Sequence, residues 1–461
     1  MVCAASLGAI ATVISANTQY LSIDKQTAFR GISTDSRQVQ SGELFVALRG
    51  EKFDGHQFVV KAIEKGAVAG IVDQQSLSYL EPDLPLLVVT NTLTAYQQIA
   101  HWWRKQLTIP IIGITGSAGK TTTKEIIASL LGYFLDQGKQ VHKSIANHNN
   151  EIGVAQTLLA IDPQVHQFAV LEMAMRGRGQ IAELSRMAQP DIGVITNIGT
   201  AHIGLLGSQQ AIASAKCELL AEMPQQSTAV LNGDDQLLIE TASKVWQGKT
   251  IYYGLRQGQI LGHLVNHQLT VEDCTWHLPL LGEHNAMNFL AGLAVLRSLN
   301  LDWQKVPPNL QIKLPEGRAE IYELQEDIQL LDESYNASPS AVIASLKLLK
   351  QLQGKRYWAV LGANRELGEQ STELHRQIGS SVAELGIDYL VILDDPEARE
   401  IAQGLPHEAE VKVYLCPDHQ SIVELLVTNL QAGDRILCKA SHSVGMDQVV
   451  KQLIQHFQER K

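Results

Sequence analysis

A chain of 461 residues is too long for one hydrophobic core and points to about three domains. It is 45% hydrophobic and 18% charged, with no apolar tract long enough to span a bilayer, which excludes membrane insertion. A formal charge of −11 excludes general nucleic-acid binding, which needs a basic face for the phosphates; a local pocket on an acidic protein can still be positive.

The opening MVCAASLGAIATVISANTQYL is apolar, but no Lys or Arg precedes Lys25. It lacks the basic head of a secretory signal and reads as an amphipathic first helix. Cys3, Cys217, Cys274, Cys416 and Cys438 are scattered and never spaced C-x-x-C, against a disulfide framework or zinc site and in favour of a reducing, cytoplasmic compartment.

Up to residue 107, short apolar runs (GELFVAL, AVAGIV, PLLVVT) alternate with helical patches. The last patch, TLTAYQQIAHWWRKQL, has Leu93, Tyr96 and Ala100 on one face. This predicts a small α/β unit over 1–107. From 108 to 314 the alternation strengthens. IPIIGIT, QFAVLEM, DIGVITNIG and TAVLN are continuous apolar runs, predicting a parallel sheet covered by helices on both faces, and EHNAMNFLAGLAVLRSL is a further helix. From 315 to 461 the pattern restarts as IQLLDESY, YWAVLGA, DYLVILDD, KVYLC and DRILCKAS, resembling a Rossmann-like fold without its glycine fingerprint. No internal repeat or low-complexity tract interrupts the chain.

The stretch IPIIGITGSAGKTTTKEIIASLL (109–131) is strand, glycine turn, Lys-Thr, helix, the arrangement a phosphate-binding loop needs. Backbone amides at a helix start point at the phosphates and the helix dipole adds a favourable field. Gly116 and Gly119 allow close approach, Ser117 and Ala118 complete the turn, Lys120 reaches the β- and γ-phosphates, and the Thr121 hydroxyl ligates Mg²⁺, with Thr122 beside it. Ile114 stands where the strict G-x-x-x-x-G-K-[ST] pattern has its first glycine. An unliganded strand-to-helix turn is the plain alternative; the combined features favour ATP. Glu172, at the end of FAVLE, would sit at the carboxyl edge of the sheet facing this loop, where a carboxylate suits Mg²⁺.

The loop GITGSAGKTTTKE resembles the variant found in the Mur ligase family, ATP-dependent amide-forming enzymes of bacterial cell-wall synthesis. The resemblance continues in family order through STDSRQVQSGELFVALRGEKFDGHQF, ANHNNEIGVAQTLL, VLEMAMRGRGQIAELSRMAQPDIGVITNIGTAHIGLLGS, AKCELL, GEHNAMNFLAGLAV and EGRAEIYEL…LLDESYNASPSAV. It implies an acyl-phosphate mechanism with two Mg²⁺ ions, a cytoplasmic enzyme and a monomer. DESYNASPSA most resembles the members that add D-alanyl-D-alanine to UDP-N-acetylmuramoyl-tripeptide, and the Asp-Asn-Pro-Arg motif of the third-residue ligases is absent.

By the same resemblance His202 ligates the second metal, and Lys216 is carbamylated by CO₂ into a carboxylate-like group orienting the metals. Asn288 reads adenine; Arg318, Asp332, Tyr335 and Asn336 contact phosphate, ribose or base from the third domain. Ser36 and Arg37 meet the uridine diphosphate, and Asn147, Asn149 and Asn150 line the muramoyl-peptide side. Ala174, Gln180, the Ala-Asn-Arg at 363–365, Ala440 and His442 depart from the family's usual residues. The alternatives are a tripeptide-forming Mur ligase, a folylpolyglutamate synthase (disfavoured by the UDP-sugar block) and a P-loop kinase or ATPase switch. Three domains sharing a ligand are expected to be open without it and to close by rotation of the third on ATP binding.

Overall fold

The computed structural model describes residues 3–50 and 53–458, so Glu51 and Lys52 of the UDP-sugar block lie outside the described residues. Strand Ala4–Ser6 precedes the expected first helix, Leu7–Val13, whose Leu7, Ile10 and Ala11 are buried. Four parallel strands follow in the order Ile32–Ser33, Leu44–Val46, Ala69–Asp73, Leu86–Val89, and helix Thr92–Arg104 closes this unit.

The central sheet has nine strands. Ile111–Thr115 lies inside it, flanked by Ile192–Ile195 on one side and His166–Glu172 on the other, all parallel. Alternate residues face opposite cores: Ile111 and Leu171 on one side, Ile112, Ile114 and Val170 on the other. Helices Lys120–Leu131 and Glu283–Ser298 cover the second face, while Glu151–Leu159, Gln180–Ala188 and Gln209–Glu222 cover the first. Coverage on both faces explains why these strands read as unbroken apolar runs.

Two features depart from the sequence expectation. Gln140–Lys143 is an edge strand with a polar sequence. At the opposite edge, the sheet continues through Lys249–Gly254 into Ile260–Val265, Gln268–Val271 and Cys274–His277, whose last two pairings are antiparallel. The central sheet is therefore mixed at one end rather than parallel throughout.

The third sheet has six strands, in the order Glu320–Glu323, Gln329–Asp332, Asp434–Lys439, Arg356–Leu361, Tyr389–Leu393, Lys412–Cys416. It is parallel except for its first pairing. Among the described residues no helix is long and apolar enough to cross a membrane.

The first and central domains share one continuous core, running from Cys3 and Phe29 through Tyr96 and Trp103 to Leu158, Leu184 and Trp246. Arg104 crosses the seam, donating to the Ala188 and Gln189 carbonyls and to Asp191 Oδ2 at 2.9 Å. The third domain reaches the central one through Leu367, buried in that same core, and through Glu366.

Candidate functional site

The glycine turn is held by its neighbours. Gly116 lies so close to the adjacent strand end that a Cβ there would meet Thr196 Oγ1 at 1.9 Å. Gly119 has φ +80 and would put a Cβ 2.6 Å from Asn288 Oδ1. Helix Lys120–Leu131 starts with no side-chain cap. Ser117 and Ala118 donate their amides to the Asn197 backbone oxygen and Oδ1, both at 3.0 Å. The first half of the turn is thus braced on Asn197, and the amides directed at an anion are those of the second half, from Gly119 to Thr122. Of the loop residues read as nucleotide contacts, Ser117 and Ala118 therefore have a bracing role for their backbone donors.

Thr121 Oγ1 donates to Glu172 Oε2 at 2.8 Å, and Asn149 Nδ2 donates to Glu172 Oε1 at 3.0 Å. Glu172 itself is buried, its amide tied to Ser144 Oγ at 3.1 Å. Lys124, also buried, donates to the Ser144 carbonyl at 2.8 Å and fixes the segment that carries Asn149. Lys120 Nζ donates to the Gly116 carbonyl at 2.8 Å. Burial pushes its pKa down, Glu172 opposes this, and Arg318 from the third domain adds to it.

Lys216 is buried on helix Gln209–Glu222, with no hydrogen bond or ion pair among the described residues. Burial first, then the charge of Lys120, holds its pKa well below the usual lysine value. His202 is in the left-handed region (φ +65), with Nδ1 on Glu366 Oε2. Burial lowers its pKa, Glu366 opposes this, and Lys120 and Lys216 add to it.

In the third domain, the Arg318 guanidinium lies 3.9 Å from the Tyr335 ring centre, and its Nε is buried with no partner. Tyr335 also faces His442, ring centres 5.2 Å apart. Asp332 is buried at its strand end and burial raises its pKa. The Asn336 side-chain oxygen accepts from the His442 amide at 3.3 Å.

Other residues singled out from the sequence have partners within the protein or face solvent. Asn288 is buried, its oxygen accepting from Thr123 Oγ1 at 3.1 Å and its nitrogen directed at Asn285 Oδ1 at 3.3 Å. Each end of the amide makes one hydrogen bond within the protein, which ties Asn288 to the helix that follows the glycine turn. Asn150 caps helix Glu151–Leu159, its Oδ1 accepting from the Gly153 amide, and both it and Asn147 are exposed. Ser36 is buried, and the Arg37 fork is clamped on Asp35, with Nη2 to Oδ2 at 2.8 Å. That pair is exposed enough to exchange partners at little cost.

Glu366 escaped the sequence analysis, as did Asn197, Thr123 and Ser144. None has a local signal, since each acts across a distance in sequence; only the Glu three residues after Ala363 in a strand-end loop could have marked Glu366.

Among the described residues no group of three or more His, Cys, Asp or Glu side chains could hold a metal by itself. Mg²⁺ needs no such cage when substrate phosphates and water complete its shell. The Thr121 hydroxyl and Glu172 carboxylate, already 2.8 Å apart, are the hard oxygen pair that such an ion takes. The residues fit the group.

A glycine turn with its lysine, a buried carboxylate across the sheet edge and an arginine arriving from a third domain define a three-domain, nucleotide-dependent α/β enzyme. The Mur ligase middle-domain model matches residues 114–296, the Mur ligase glutamate ligase domain 317–442, and the Mur ligase family catalytic domain 28–103. The chain is 50% identical over 433 residues to the UDP-N-acetylmuramoyl-tripeptide–D-alanyl-D-alanine ligase of Synechocystis, covering 94% of this chain and 93% of that one. It is 34% identical to the enzyme of that name from Bacillus subtilis, covering 95% of each. Among solved structures it resembles MurF from Acinetobacter baumannii (TM-score 0.87, 27% identity, 98% and 99% covered). It also resembles MurF ligase from Thermotoga maritima in complex with ADP (TM-score 0.81, 28% identity, 94% and 99% covered). The chain belongs to the Mur ligase family.

Proposed function

We propose that this protein joins D-alanyl-D-alanine to UDP-N-acetylmuramoyl-tripeptide at the expense of ATP, forming ADP and phosphate, in the assembly of peptidoglycan precursors. The observation that carries the reading is the convergence of two domains on one site: Lys120 feels the charge of Arg318 from the third domain and of Glu172, which is buried across the sheet edge and accepts from Thr121 Oγ1 at 2.8 Å. On an acidic protein, such a pocket suits the meeting of two anions, a carboxylate and a triphosphate.

The terminal carboxylate oxygen of the tripeptide attacks the γ-phosphorus, and the bond from that phosphorus to the β,γ-bridging oxygen breaks, releasing ADP. Lys120 moves from the Gly116 carbonyl onto the phosphates and, with the amides of Gly119 to Thr122, holds the developing charge. The dipeptide amine then attacks the acyl carbon, loses a proton, and the carbon–oxygen bond to phosphate breaks. Mg²⁺, two ions in this reading, supplies charge neutralisation at the phosphates; Thr121, Glu172 and His202 would hold it. Asn149 keeps Glu172 aligned. Arg318 and Tyr335 close over the nucleotide from the third domain, with Asp332 and Asn336 at its ribose side. Ser36 and Arg37 serve the uridine diphosphate.

Lys216 is read as carbamylated. An uncharged, buried amine has the free lone pair that CO₂ requires, and the product, a carbamate with release of one proton, is an anion among cations. The enzyme works as a cytoplasmic monomer in this reading.

The test is phosphate release from ATP with UDP-N-acetylmuramoyl-tripeptide, comparing D-alanyl-D-alanine with a diamino acid as amine. Release that needs both the nucleotide sugar and the dipeptide is expected, and Lys120→Ala should lower kcat by about 10²–10³-fold. ATP turnover independent of the sugar nucleotide, or preference for the diamino acid, would overturn it.

A further inference from the structure

His202 and Glu366 meet from different domains, and the contact is built on both sides. His202 has φ +65 at the start of helix Ile203–Leu206, and Glu366 has φ +64 in the loop after strand Arg356–Leu361. Left-handed backbone at two facing non-glycine residues persists only where the surroundings impose it. Beside them the Gly204 amide donates to the Glu366 carbonyl at 3.0 Å. A Cβ on Gly204 would meet the Gly368 nitrogen at 2.4 Å, and one on Gly368 would meet Gly204 Cα at 2.7 Å. The two backbones touch where only glycine fits. Leu367, between the two contacts, is 2% exposed.

The chemistry at this point has a direction. A carboxylate only accepts, so His202 Nδ1 is the donor to Glu366 Oε2, and the Nε2 lone pair is left for a cation. Glu366 Oε1 is meanwhile 3.6 Å from Arg176 Nε.

We propose that Glu366 is a positioning residue which the third domain delivers to His202, fixing the ring and its tautomer so that Nε2 faces the metal site only while that domain is docked. The inference rests on the amide-ligase reading and adds to it a device by which docking of the third domain makes the metal site competent.

The test uses the full chain with a non-hydrolysable ATP analogue and Mn²⁺, whose binding is read by electron paramagnetic resonance. Glu366→Gly removes the carboxylate at a backbone conformation natural to glycine, so the fold is retained, as a melting curve will verify. Glu366→Gln keeps an acceptor oxygen. We expect Glu366→Gly to weaken Mn²⁺ binding by about 10–100-fold. The Mg²⁺ concentration for half-maximal ligation should rise by a like factor, and kcat should recover at saturating metal. Glu366→Gln should fall between this variant and the unaltered chain. In the metal-free complex with the ATP analogue, nitrogen-15 spectra of His202 should show the Nδ1-protonated tautomer, lost in Glu366→Gly. Unchanged Mn²⁺ affinity and tautomer in Glu366→Gly, with normal ligation by the unaltered chain, would overturn the proposal. Absence of Mg²⁺-dependent ligation in the unaltered chain would instead overturn the amide-ligase reading.

Discussion

A lysine buried without a partner has two ways to avoid a costly charge: release its proton or change its chemistry. Lys216 is in that position, and the charge of Lys120 reinforces the pressure. Carbamylation consumes the free amine and liberates a proton, so its extent rises with pH, and a depressed amine pKa extends it to lower pH than an exposed lysine allows. With carbon-13 bicarbonate, a carbamate resonance absent in Lys216→Met is expected, persisting below the pH at which surface lysines lose theirs. A spectrum identical in the two proteins would assign Lys216 a plain amine. Lys120, Thr121 and Glu172 were legible from sequence because the chemistry is local: a strand end, a turn, a helix start. The packing of Asn288 was not legible: a sequence names an amide without saying that Thr123 and Asn285 are its partners.

At the scale of elements, the glycine turn depends on a close approach to the strand ending at Ile195. Gly116→Ala must displace Thr196, whose hydroxyl donates to the Ala118 carbonyl at 2.6 Å. A penalty of about 1–3 kcal/mol is expected already in the unliganded turn, read as a lower melting temperature together with weaker ATP binding by calorimetry. Strand Ala69–Asp73 offers a test of a different kind. Burial alone would raise the Asp73 carboxyl, but hydrogen bonds from Arg49 and Ser76 overcome it and hold the pKa at about 2. The folded value lies below the unfolded one of about 3.9, so the stabilisation is present above pH 4 and disappears as pH falls towards 2. Arg49 is nearly half exposed, and solvent screening limits the contribution to the order of 1 kcal/mol. Asp73→Asn should speed hydrogen exchange in this strand at pH 7, and the difference from the unaltered chain should vanish near pH 2. The strands that escaped sequence reading share a cause. Gln140–Lys143 and Glu320–Glu323 lie at sheet edges and carry polar residues; Ile260–Val265 alternates buried and exposed positions. Unbroken apolar runs mark only strands covered on both faces, and these three are not.

For the whole molecule, the two seams differ in kind. The first and central domains share a core and the buried Arg104 bridge. The third is joined to the central one by Glu366, the Gly204–Gly368 contact, and Leu367 and Leu374, both buried in the shared core. Burying one leucine is worth about 1.5–3 kcal/mol, so a seam of two is slight beside the first seam and still defines where the third domain docks. Scattering should give a larger radius of gyration for the free protein than with the ATP analogue and Mg²⁺. Glu366→Gly should blunt the contraction, and identical curves would mean that the domains do not move.

The shared core has a practical consequence. Cutting the chain at residue 107 would strip Tyr96, Ile99 and Trp103 from the helices they cover and leave a greasy slab on the nucleotide-binding half. A fragment built to study ATP chemistry in isolation should therefore begin near Cys3, because the segment that faces the sugar nucleotide is also the wall against which the catalytic sheet is built.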